Sequence, residues 1–67
     1  MNTVTVTYDP TQRSPWIVVV NGFDESHHRL KHAAEKEGRR LAKRNRPSEF
    51  VVETKSGNVT YTQRYER

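Results

Sequence analysis

The 67-residue chain contains no cysteine, which excludes a disulfide framework and a thiolate zinc site. Its three glycines, Gly22, Gly38 and Gly57, stand far apart, so no glycine-rich loop is available to cradle a phosphate. Apolar residues make up only 31% of the sequence, and the longest apolar run, Trp16 to Val20, is far short of the roughly 20 residues needed to cross a bilayer. No basic segment followed by an apolar run opens the sequence. These absences predict a soluble chain in a reducing cytoplasm, with no membrane partner. A domain this small buries roughly 60% of the surface its unfolded chain exposes. Its stability margin is therefore expected to be thin, and self-association is one way to widen it.

Catalytic patterns are also missing. His28 and His32 frame Arg29, Leu30 and Lys31, which is not the His-Glu-x-x-His zinc motif, and the surrounding cations oppose a metal ion. Ser26 beside His27 has no third orienting group, and Asp24-Glu25 is explained by negative charge at a helix start. No enzymatic activity, metal or cofactor is expected.

What is present is a concentration of positive charge. From Ser26 to Arg46 eight Lys/Arg face two acidic residues, a formal charge of +6, while the rest of the chain sums to -2. Wound into a helix, this stretch places Leu30, Ala34, Gly38 and Leu41 on one stripe and Arg29, His32, Lys36, Arg39, Arg40 and Lys43 on the opposite side. Gly38 on the apolar stripe costs roughly 1 kcal/mol relative to alanine. A close approach of helix to sheet at that point would explain it; the alternative is that Gly38 marks a break in the helix. Asp24 or Ser26 is the expected N-cap, Pro47 ends the helix, and Asn45 is a candidate for a left-handed terminal residue.

Strand signals surround the helix. Val4, Val6 and Tyr8 alternate with Thr3, Thr5 and Thr7, and Trp16 to Val20 is apolar on both faces. After the helix, Phe50 to Thr54 and Val59 to Tyr65 alternate on either side of a Lys55-Ser56-Gly57-Asn58 turn. The predicted fold is a single α+β domain, β-β-α-β-β, with a small mainly antiparallel four-stranded sheet and one helix packed on one face. Its expected core joins Val4, Val6, Trp16 or Ile17, Val18, Val20, Phe50, Val52, Val59 and Tyr61 to Leu30, Ala33, Ala34 and Leu41. The opposite sheet face is threonine-rich but retains Ile17, Val19 and Val51, the candidate contact for a homodimer.

Function is sought on the basic helix. Arg29, Lys36, Arg39, Arg40, Lys43, Arg44 and Arg46 are the candidate nucleic-acid-binding residues, since closely spaced cations suit phosphates and arginine adds a planar fork. Such a surface would bind DNA or RNA with little sequence preference and strong salt dependence. Two other readings use the same residues. Long cations also keep an outer helix face solvated, and an acidic protein partner would engage them equally well. A self-associating structural or protein-interaction module is the competing function. Tyr8, Tyr61 and Tyr65 would offer a stacking surface only if they shared an exposed face.

The order of features resembles the short bacterial family called domain of unknown function 2188. The residues that carry the likeness are Trp16-Ile17-Val18 followed by Gly22, Ala33-Ala34 and Leu41-Ala42-Lys43, Glu49-Phe50-Val51-Val52, Gly57-Asn58-Val59 and Tyr65. The resemblance implies a compact domain with a helix on a small antiparallel sheet and carries no activity or binding residues.

Overall fold

The computed structural model describes residues Met1–Arg67. The Val/Thr alternation forms β1 (Asn2–Tyr8), and the doubly apolar run forms β2 (Trp16–Val20), antiparallel to it with Val6 opposite Val18. The loop between them is closed at its base by the Asp9 amide donating to the Pro15 carbonyl at 2.8 Å. Within the loop, the Asp9 carboxylate accepts from the Thr11 hydroxyl at 2.7 Å and the Thr11 amide at 3.0 Å. These bonds favour the ionised form and hold Asp9 below its usual pKa.

After β2 the chain reverses, where the sequence predicts a helix start. Asn21 (φ 52°) and Gly22 (φ 87°) both take positive φ, forming the two-residue reversal that suits a right-twisted hairpin. Phe23–His28 is therefore a strand, β3, antiparallel to β2, and not the start of the helix. Its polar residues tolerate this because β3 is an edge strand, and β2, apolar on both faces, gains a neighbour on its second edge.

The helix, α1, spans Lys31–Arg44, so Leu30, not Asp24 or Ser26, is its N-cap residue. Leu30 offers no side-chain acceptor to the first turn. The C-terminal end is well provided for. The Asn45 amide and Nδ2 both donate to the Leu41 carbonyl, at 3.0 and 2.7 Å, and the buried Ser48 hydroxyl donates to the Ala42 carbonyl at 2.5 Å. Asn45 does this at φ -108°, not in the left-handed conformation expected. β4 (Ser48–Glu53) and β5 (Val59–Tyr65) then form the second hairpin, with Gly57 at φ 90° in its turn.

The sheet has five strands in the order β3-β2-β1-β4-β5. β1 and β4 run parallel, with Val4 opposite Phe50, so the sheet is mixed. The four-stranded, mainly antiparallel β-β-α-β-β arrangement is thus overturned on strand count and topology. α1 carries the chain from one edge, over β2 and β1, to β4.

Helix and sheet meet through small residues. Ala34, Gly38 and Ala42, spaced four apart, are the buried positions of α1, and they lie against Val4, Val6, Trp16, Val18, Phe50, Val52 and Tyr65. A Cβ on Gly38 would stand 2.7 Å from Phe50 Cε1, which establishes the close approach. Leu30 precedes the helix and is 58% exposed, Leu41 packs at the rim, and Val59 lies outside the core. On the other face Val19 and Val51 flank Thr5 and are half-buried, while Ile17 is already buried between Thr7 and His27 within the one chain.

Candidate functional site

At about 100° per residue, His32, Lys36, Arg39 and Lys43 fall within about 60° of one another on α1. The Arg39 guanidinium carbon lies 5.3 Å from the Phe50 ring centroid and 5.9 Å from that of Tyr61. Phe50 is on β4 and Tyr61 on β5, so this cationic flank is the one turned toward the β5 edge. Small residues let the helix settle over β1, β2 and β4, with a lighter contact to β3 and none comparable to β5. The helix-facing side of β5 is consequently a shelf. Tyr61, Gln63 and Tyr65 succeed one another along it, and the Tyr61 hydroxyl donates to Gln63 Oε1. Arg39 lies over one end of the shelf, and Arg46 over the other, 5.6 Å from the Tyr65 centroid.

The seven candidate cations separate into groups. Arg39 and Lys43 share the flank, Lys36 stands at its outer margin beside Arg40, and Arg46 joins the shelf from the segment after the helix. Arg40 sits on the outer crown, where Nε and Nη2 donate to the two Glu37 carboxylate oxygens at 2.9 and 2.7 Å. That fork raises the Arg40 pKa and holds Glu37 below the usual carboxylate range, with desolvation opposing both shifts. Arg40 already has a carboxylate, which makes it the least available of the seven for phosphate. Arg44 is exposed on the crown, and Arg29 is not on the helix but in the bend between β3 and α1.

Other expectations are redistributed. Trp16 is core, 6% exposed, with the Tyr8 ring 4.8 Å away and Lys31 Nζ 5.3 Å above it. The three tyrosines do not share an exposed surface: Tyr8 is half-buried on Trp16 and Tyr65 is buried, leaving Tyr61 at 42% exposure. His28 and His32 are not one helical turn apart, because His28 belongs to β3, where its Nε2 lies 2.9 Å from Ser26 Oγ. His27 Nε2 is 3.7 Å from Asp24 Oδ2 on the edge strand. No three His, Cys, Asp or Glu side chains converge as a metal site would require. Gln63 is the shelf residue that charge and motif do not single out. Its signal is the alternation Tyr61-Gln63-Tyr65, which puts it on the same side as two aromatics.

No α-helix here is long and apolar enough to cross a membrane. No curated protein and no solved structure matches the chain. A family model, described as "Uncharacterized protein conserved in bacteria (DUF2188)", matches residues 4–65, so nearly the whole fold, from β1 through the shelf strand, is covered. The chain belongs to the DUF2188 family.

Proposed function

We propose that this chain is a non-enzymatic binding protein that holds nucleic acid with little sequence preference, along the cationic flank of α1 and the shelf beside it. The observation that carries the reading is that Arg39 lies over exposed Tyr61 and Arg46 over Tyr65 of the same strand, with Lys36 and Lys43 within about 60° of Arg39 around the helix. Cations beside an accessible aromatic ring are what a flexible single strand uses, the phosphates meeting the cations and a base stacking on the ring. A phosphate-only surface would have no use for the tyrosine.

Fluorescence anisotropy with a labelled single strand of mixed sequence and its duplex, across a salt series, tests this. The expected affinity for the single strand falls with salt, at a slope of about -0.7 per phosphate contact. Replacing Lys36, Arg39 and Lys43 together by Glu abolishes binding, and Tyr61→Ala weakens the single strand more than the duplex. Unchanged affinity in the triple variant refutes the proposal. An acidic protein partner would use the same cations, and it becomes the better reading if neither nucleic acid binds at low salt.

A further inference from the structure

The two edges of the sheet are built differently. β3 carries Asp24 and Glu25, and its pairing with β2 is broken by an irregularity between Val18 and Val19. Charges and bulges of this kind discourage another strand from adding to an edge. β5 is seven residues long, all but Tyr65 exposed, and consists of Val, Thr, Tyr, Gln and a single charge, Arg64. Its irregularity lies next to the hairpin, where Tyr61 pairs with Val52 and Val59 with Glu53, leaving Thr60 extra. From Tyr61 to Tyr65 the ladder to β4 is regular. That segment has strong β-formers, no proline or glycine, and an outer row of backbone groups with no strand beside it.

We infer that β5 pairs antiparallel with β5 of a second copy of this chain, in a register centred on Gln63, to make a continuous ten-stranded sheet. A two-fold axis through that edge closes the assembly. In this register Tyr61 stands opposite Tyr65 of the second copy, an aromatic cross-strand pair formed twice, and Thr62 stands opposite Arg64. Gln63 faces its own counterpart, and no like charges are directly opposite. The axis is perpendicular to the sheet, so both helices lie on the same side, with the two shelves joined between them. Five strand spacings of about 4.8 Å separate β1 from β1 of the second copy, and subtracting a helix diameter of about 10 Å leaves a trough about 14 Å wide. Arg39, over Tyr61, and Arg46 of the second copy, over the Tyr65 opposite it, reach into this trough side by side, so their repulsion opposes association at low salt and is screened as salt rises. Salt is expected to tighten the dimer, the reverse of its effect on nucleic-acid binding. The assembly is measured with no nucleic acid present and stands or falls independently of the proposed function.

The test is a charge exchange at the centre of the register. Sedimentation equilibrium from low to high micromolar protein is expected to show a monomer–dimer equilibrium for the parent. Gln63→Lys and Gln63→Glu each place like charges face to face and are expected to raise the dissociation constant by about an order of magnitude. An equimolar mixture of the two restores the dimer. Far-UV circular dichroism establishes that each variant is folded, and hydrogen exchange on the parent supplies a second readout, with the β5 amides gaining protection as concentration rises. A parent that stays monomeric at high micromolar concentration overturns the inference. So does a dimer that survives both Gln63 substitutions, or one that Val19→Glu dissolves, since that would assign the interface to the threonine-rich face.

Discussion

Gly38→Ala puts the close approach of helix and sheet to a quantitative test. On helix propensity alone the substitution should stabilise the protein by about 1 kcal/mol, since glycine in a helix interior is that much worse than alanine. The new Cβ, however, would lie 2.7 Å from Phe50 Cε1 and 3.2 Å from Val6 Cγ2. Carbon atoms pack best at about 3.5–4.0 Å. Phe50 and Val6 are both 0% exposed, so neither can swing into solvent to make room. Overpacking of this sort costs about 1–3 kcal/mol. The cost outweighs the propensity gain, and the expected net effect is destabilisation by about 1 kcal/mol, which for a domain of this size lowers Tm by about 4–8 °C. Urea unfolding followed by far-UV circular dichroism and by Trp16 fluorescence measures it. A companion variant locates the cause: in a Phe50→Leu background the same Gly38→Ala change should cost less, or become stabilising, because the ring edge is gone. A midpoint that rises in the parent background would refute the argument from packing.

Leu30→Asp supplies the missing N-cap acceptor and a negative charge at a helix start that has no acidic residue in its first turn, and because Leu30 is 58% exposed little packing is lost. A gain of about 1 kcal/mol in urea unfolding is expected. Ser48→Ala deletes a buried donor to the Ala42 carbonyl and should cost about 1 kcal/mol by the same assay. Glu37 has its folded pKa lowered from 4.5, chiefly by the Arg40 hydrogen bonds, so its contribution is present above the unfolded value and is lost as pH falls through the folded one. Glu37→Gln should therefore be less stable than the parent near neutrality, with the difference vanishing in acid. Asp9, lowered by Thr11, leaves the variant some acid sensitivity of its own.

The parts of this fold that could be read from the sequence are those where a side-chain period reports directly on burial. Val4 and Val6, Phe50 and Val52 alternate, and they are core. Gly38 on the apolar stripe marks a real contact with the sheet. The third strand was hidden because Phe23-Asp-Glu-Ser-His-His has neither β-branched residues nor an apolar period, as an exposed edge strand need not. Asn21-Gly22 was its signal, since this dipeptide after an apolar strand favours a tight reversal, yet it also suits the end of a strand before a helix cap. Reading it the second way lengthened the helix backward to Ser26 and carried Arg29 and His28 onto it. The parallel β1–β4 pairing has no local signature, because it depends on where α1 returns the chain. The cationic side of the helix was legible from the helical period, which puts His32, Lys36, Arg39, Arg40 and Lys43 opposite the apolar stripe, but which strand it overhangs was not. That Arg40 is bound by Glu37, and that Arg39 and Arg46 lie over β5 rings, follows from side-chain geometry across elements that no linear period encodes.

The place of β1 at the middle of the sheet also has a consequence for the order in which the chain can assemble. β1, β2 and β3 are joined by short connections into a local three-stranded meander, whereas the other edge of β1 is closed only by β4, which lies beyond the helix, with Val4 opposite Phe50 and Val6 opposite Val52. On loop-closure entropy, pairing of β1 with β4 across the helix is expected to be slower than formation of either hairpin. Until that closure, a growing chain presents a Val/Thr strand edge to every neighbour. The same geometry makes the β4–β5 hairpin the segment that two copies would exchange if the chain were to domain-swap, since β1 of one copy offers β4 of another the edge it offers its own.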